Sequence, residues 1–164
     1  MQISKVIQSM ISLSDGNLHD INHFMKVWAF AKTIGELEKL DSETQFILEI
    51  SAITHDIACP LCREKYGNTN GKYQEVEGEL LVREFFKDSD LTQQQIDRVA
   101  YIVAHHHTFK DVEGLGYQIL IEADYLVNAD ESHYSVQNIK NARNVIFRTK
   151  SGIEFLEKMY GVSR

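Results

Sequence analysis

Ile53-Thr54-His55-Asp56-Ile57 ends a segment in which Ile47, Ile50 and Ile53 recur at three-residue spacing, so an apolar helix runs directly into a histidine and a carboxylate. A packed core has little use for either group, because each costs free energy to bury unpaired. A neutral imidazole and a carboxylate presented together from one helix end can instead reach a single hard-to-borderline metal ion. Working outward, His19 and His23 precede the doublet, and His105, His106, His107 and Asp124 follow it. All lie at positions that read as inward-facing on helices.

The spacing of apolar residues predicts helices throughout and therefore an all-α fold. Ile3, Val6, Ile7, Met10 and Ile11 mark a first helix ending near Asp15-Gly16. A second, from about residue 20 to residue 40, places His19, His23, Val27, Phe30, Ala31 and Ile34 on one stripe. Ser42-Glu43-Thr44-Gln45 has the form of a capping box for the third. From Ile57 to Tyr73 the periodicity lapses, and Pro60, Gly67, Asn68, Asn70 and Gly71 predict a long loop of the kind that often covers a binding site. Further helices are expected over about 74–87, from Thr92 with Gln95 to the His105-His106-His107 triplet, and after the Gly114-Leu115-Gly116 turn through Tyr117, Leu120, Asp124 and Val127. Two shorter ones close the chain, over about 135–148 and behind a Ser151-Gly152-Ile153-Glu154 capping box.

The 164 residues predict one domain, 1–164, with 43% hydrophobic and 25% charged residues, an ordinary globular balance. No apolar run is long enough to cross a bilayer, and the opening Met1-Gln2-Ile3-Ser4-Lys5 lacks the pattern of a secretory signal. We therefore expect a cytoplasmic protein with no membrane partner. A net charge of −7 argues against a long nucleic acid, whose binding needs an excess of Lys and Arg. A small phosphorylated molecule remains compatible, since one ion and a few cations offset its charge locally. Cys59-Pro60-Leu61-Cys62 is a single pair, where a zinc ribbon needs two. No motif fixes an oligomeric state.

A lone histidine on an apolar stripe usually satisfies itself on a backbone carbonyl, and a lone inward Asp usually pairs with Arg or Lys. Here, however, three separate helices each bring such a group inward, and inward His and Asp outnumber the cations of the same segments. A divalent ion resolves that excess. Mixed imidazole and carboxylate ligation favours Mn²⁺, Fe²⁺, Co²⁺ or Ni²⁺, with Mg²⁺ and Zn²⁺ also compatible.

In the order His23, His55-Asp56, Asp124, the chain resembles the HD-domain superfamily of metal-dependent phosphohydrolases. The likeness extends to His19-Asp20-Ile21-Asn22-His23-Phe24-Met25-Lys26-Val27 and to Ile121-Glu122-Ala123-Asp124-Tyr125-Leu126, and spans roughly residues 19–128. It implies a helical bundle with a metal at its centre, His23, His55, Asp56 and Asp124 as ligands, and Asp56 able to bridge two ions. Members with two metals usually supply another histidine after the doublet, whereas Lys72-Tyr73-Gln74-Glu75-Val76-Glu77-Gly78 has none. Either one ion binds, or His105 and His106 hold a second. Lys26 stands where many relatives carry Arg.

The expected reaction is hydrolysis of a phosphomonoester or phosphoanhydride of a nucleotide or related small metabolite by metal-activated water, with His55 and Asp56 as the catalytic pair. His19, Lys26, Lys72, His105 and His106 are the expected substrate-binding groups, with Arg63 and Lys65 joining Lys72 in a loop that closes over the substrate. A dinucleoside polyphosphate hydrolase is the nearest enzymatic alternative, and Gln74 counts against it. A metal-containing nucleotide sensor with little turnover is the alternative from another class.

Overall fold

The computed structural model describes residues 1–163. Among them are nine α-helices and no strand: α1 Ile3–Leu13, α2 Leu18–Leu37, α3 Ser42–Thr54, α4 Cys59–Tyr66, α5 Gly71–Phe86, α6 Gln93–Val103, α7 Leu115–Glu131, α8 Val136–Val145 and α9 Lys150–Tyr160. No helix among the described residues is long and apolar enough to cross a membrane.

Two helices form the centre. Every residue of α3 from Ile47 to Thr54 is buried, as is every residue of α7 from Ile119 to Val127. A helix apolar on all sides must be covered on all sides. α2 packs on both of these helices, α6 on α3 and α7 on α3, with α5 outside α6, α1 on α3, and α9 against α7. The two polar residues most at odds with this core are fully paired. Glu49 accepts from Trp28 Nε1 (2.9 Å) and Gln45 Nε2 (3.0 Å). Glu122 accepts from Gln118 Nε2 (2.7 Å) and from the backbone N–H groups of Arg148 (2.7 Å) and Thr149 (3.0 Å) where α9 begins. Such pairing replaces the water each carboxylate gives up.

The ends of several helices differ from the sequence expectation. Asp41, not Ser42, caps α3 by accepting from Thr44 N (2.9 Å), and Thr149, not Ser151, caps α9 by accepting from Gly152 N (3.0 Å). The capping box at Thr92 and Gln95 is present. The stretch expected as a loop from residue 57 to 73 contains α4, and Pro60 lies in its first turn, where a missing N–H costs no intrahelical bond. α3 thus passes through a tight elbow at His55, Asp56 and Ile57 into α4, with Ile57 N donating to Thr54 O (3.0 Å) and Cys59 N to Asp56 O (2.9 Å). The genuine loop is short, from Gly67 in the left-handed region (φ 72°) to Asn70, which caps α5 by accepting from Lys72 N (3.0 Å).

Candidate metal centre

The α3–α4 elbow faces α2 and the middle of α7, and four side chains meet there. His23 Nε2 lies 3.2 Å from His55 Nε2, 3.2 Å from Asp124 Oδ1 and 3.4 Å from Asp56 Oδ2. His55 Nε2 lies 3.4 Å from Asp124 Oδ1 and 3.5 Å from Asp56 Oδ1. Donor atoms held about 2.0–2.2 Å from one ion stand roughly 3.0–3.5 Å from each other at tetrahedral or octahedral angles. The four groups expected as ligands therefore have the spacing of a coordination shell.

Ring orientation supports the same reading. His23 Nδ1–H donates to Glu131 Oε2 (2.8 Å) and His55 Nδ1–H to Ala52 O (2.7 Å), which leaves both Nε2 lone pairs directed at each other and at two carboxylates. A lone pair facing a lone pair at this distance repels unless a cation or proton stands between them. Histidine ligands are commonly fixed in this way, through the other ring nitrogen, by a carboxylate or a carbonyl. Without an ion the cluster binds a proton: burial pulls His23 down, but Asp124, Asp56 and Glu131 outweigh it and raise its pKa to about 10. Burial acts to raise both Asp56 and Asp124, yet the surrounding imidazoles hold both well below the usual carboxylate range.

A second group adjoins the first and shares Asp56. His106 Nδ1–H donates to Val103 O (2.7 Å), while its Nε2 lies 3.5 Å from Asp56 Oδ1, buried and without a hydrogen-bond partner. Ligand atoms of Asp56, His106 and His107 lie within 4.8 Å of one another, as do those of His23, His55 and Asp56. His107 also contacts Gln74, its Nε2 being 3.2 Å from Gln74 Oε1. Burial, and then His106, lower the His107 pKa to about 4, so it is neutral near pH 7 and able to ligate. The residue types and separations suit a first ion on His23, His55, Asp56 and Asp124, with Asp56, His106 and His107 available to a second.

The remaining sequence-derived residues divide. His19 lines the cleft over the centre, exposed, with Nε2 4.0 Å from Glu131 Oε2. His105 does not reach the cleft: α6 ends at Val103, and in the turn that follows His105 stacks on Tyr101 (4.2 Å between ring centres) and donates to Tyr101 O. His106 and His107 are the members of the triplet that face inward. Lys26 is engaged with Glu131 (2.5 Å), and Lys65 with Glu77 (2.5 Å). Lys72 is exposed and lies outside the cleft lining. Arg63 does line the cleft, paired with Asp20.

Three contributors are absent from the expected ligand and substrate-binding groups. Asn128 and Glu131 follow Asp124 at intervals of four and three residues, so α7 presents them on the same stripe. Asn128 Nδ2 donates to Asp124 Oδ1 (2.8 Å), and Glu131 orients His23. The helical spacing from Asp124 was the signal for both. The third is His107, four residues after the buried Val103, so the spacing of α6 continued past its end was the signal for it.

Comparison with known proteins bears on the fold and the family. The chain is similar to the crystal structure of a predicted HD superfamily hydrolase from an uncultured Thermotogales bacterium, at 22% identity and a TM-score of 0.67, over 97% of this chain and 83% of that one. That likeness is one of fold. No curated protein matches. The HD domain family matches residues 20–134, which contain His23, His55, Asp56 and Asp124 together with the elbow that joins them, and the chain belongs to the HD domain family.

Proposed function

We propose that this chain is a metal-dependent phosphohydrolase acting on a phosphomonoester of a nucleotide or related small metabolite. The carrying observation is the meeting of two bare Nε2 atoms with Asp56 and Asp124 at 3.2–3.5 Å beside an open cleft of about 680 Å³ that His23, Asp56 and Asp124 line. A divalent ion bound there supplies Lewis acidity toward a phosphoryl oxygen and acidifies water. Asp56, the member of the cluster that faces both groups of donors, orients and accepts the proton of the attacking water. His55 is held by Ala52 O in the tautomer that keeps its Nε2 free. Arg63, braced by Asp20, is placed to receive phosphate oxygens at the cleft wall, and His19 stands at the mouth, near where a leaving group departs.

Charge favours a single phosphate over a polyphosphate chain. Asp20, Asp56, Asp124 and Glu131 line the cleft against one guanidinium, so bound ions supply most of the compensating positive charge. A dinucleoside polyphosphate would bring several more negative charges with no further cation to meet them. The test is phosphate release from a panel of nucleoside and sugar monophosphates with added Mn²⁺, beside the matching di- and triphosphates. Turnover of monophosphates that is lost in Asp56→Ala supports the proposal. Binding without turnover in every ion tested would favour a sensor and overturn it.

A further inference from the structure

The cleft has a second end, and its chemistry differs from that of the metal centre. Tyr134, Asn138, Asn141, Val145 and Ile146 line it from the segment that includes α8, together with Phe109, and none of them is charged. Apart from Tyr134 and Phe109, these residues lie beyond the segment matched by the HD domain family. The α8 part of this wall therefore lies outside the matched segment.

Asn138 and Asn141 are three residues apart on α8 and so project from one face. Each has its carbonyl oxygen occupied from within the protein: Tyr125 Oη donates to Asn138 Oδ1 (2.5 Å), and Gln137 Nε2 donates to Asn141 Oδ1 (2.9 Å). What each offers a ligand is its NH₂ group. The wall thus offers two neutral, solvent-exposed donors flanked by the ring of Tyr134, 36% exposed, and that of Phe109, 47% exposed. Two donors without a charge suit carbonyl oxygens better than hydroxyls, which need acceptors as well. Flat aromatic and aliphatic flanks suit a planar heterocycle.

We propose that this end of the cleft is a base-reading subsite, selecting nucleosides whose base presents a keto oxygen, as in a 4-oxopyrimidine or a 6-oxopurine, over those presenting an amino group at the same position. The proposal rests on the phosphomonoester reading for the orientation of the substrate, with the phosphate at the metal centre and the base at α8. Amino-bearing bases are rejected because they would place a donor against a donor.

The test separates the two readings by using nucleosides, which carry no phosphate. Ligand-observed NMR titrations of the intact protein with uridine, cytidine, inosine and adenosine should show uridine and inosine bound on the order of tenfold more tightly than their amino counterparts. Asn138→Asp with Asn141→Asp keeps the oxygens that accept from Tyr125 and Gln137 and replaces the two exposed donors by acceptors, so the preference should reverse. Equal affinity for all four nucleosides, no binding of any, or a preference unchanged in a folded double variant would overturn the subsite. Phosphate release from p-nitrophenyl phosphate, measured separately, tests only the phosphohydrolase reading. Its absence would leave the nucleoside preference standing.

Discussion

Replacing Glu131 by Gln tests whether His23 is held as a ligand from behind. Glu131 Oε2 accepts the Nδ1–H of His23 at 2.8 Å, and its other oxygen meets Lys26 Nζ at 2.5 Å, with the Glu131 side chain only 12% exposed. Glu131→Gln preserves the shape and leaves an amide oxygen to accept, but removes the negative charge that makes the imidazole a stronger donor of its Nε2 lone pair. A charge-assisted hydrogen bond becomes a neutral one, a loss of about 1–2 kcal/mol. The Lys26 ammonium, left without its partner, opposes a nearby cation and acts in the same direction. The expected result is metal affinity weakened about 10–100-fold, the range found when partners behind metal-bound histidines are changed. Competition with a chelator of known affinity at fixed pH measures it, and Lys26→Met in the Glu131→Gln background should recover part of the loss. Unchanged or tighter binding in Glu131→Gln would refute the role of His23 as a ligand oriented through Nδ1.

The ion-free protein should lose stability as pH rises. His23 has a folded pKa near 10 against an ordinary value of 6.5, so the stability it contributes is fully present below about pH 6.5 and is lost as pH rises through 10. Its slope approaches about 1.4 kcal/mol per pH unit. Melting temperatures from pH 6 to 10 should fall in chelator and much less with metal bound, and a flat ion-free profile would count against the cluster. Gln74→His places an imidazole beside His107 and should raise affinity for a second ion at least about tenfold, read as metal stoichiometry, whereas no change would mean that Asp56, His106 and His107 do not form a site. His105→Ala should leave metal content unchanged while His106→Ala lowers occupancy of the second ion, and the reverse order would contradict the placement of the triplet. Gly152→Ala should destabilise by about 1–3 kcal/mol, because a Cβ would lie 1.9 Å from Glu122 Oε2 and that overlap outweighs the helix preference for Ala of about 1 kcal/mol. Thermal melting decides the sign.

The convergence of His23, His55, Asp56 and Asp124 was legible because burial makes a strict demand. His23 and Asp124 fall on apolar faces of long helices, where periodicity is unambiguous, and an inward charge has to be met by a partner. The helix-end features were harder to read. Ser42 and Thr44 both resemble caps, but Asp41 begins the helix, a difference of one residue that sequence pattern does not resolve. α4 was hidden by Pro60 and the polar run Arg63-Glu64-Lys65, since eight residues are too few to show a periodic face. The expectation of His105 in place of His107 does not follow from helix geometry: His106 and His107 lie three and four residues after the buried Val103, so α6 continued at 100° per residue turns these two inward and His105 away. The helix stops at Val103, and the following turn carries His106 and His107 inward. Lys26 and Lys72 illustrate a limit of counting charges: position along the chain does not reveal that Glu131 already occupies one and that the other stands clear of the cleft.

Anomalous diffraction from crystals of untagged protein grown with Mn²⁺, recorded above and below the metal edge, locates any bound ion. A peak is expected within about 2.0–2.3 Å of His23 Nε2, His55 Nε2, Asp56 and Asp124, with any second peak between Asp56 and His106. A protein that stays free of metal, or whose peak lies away from these four side chains, would contradict the metal centre.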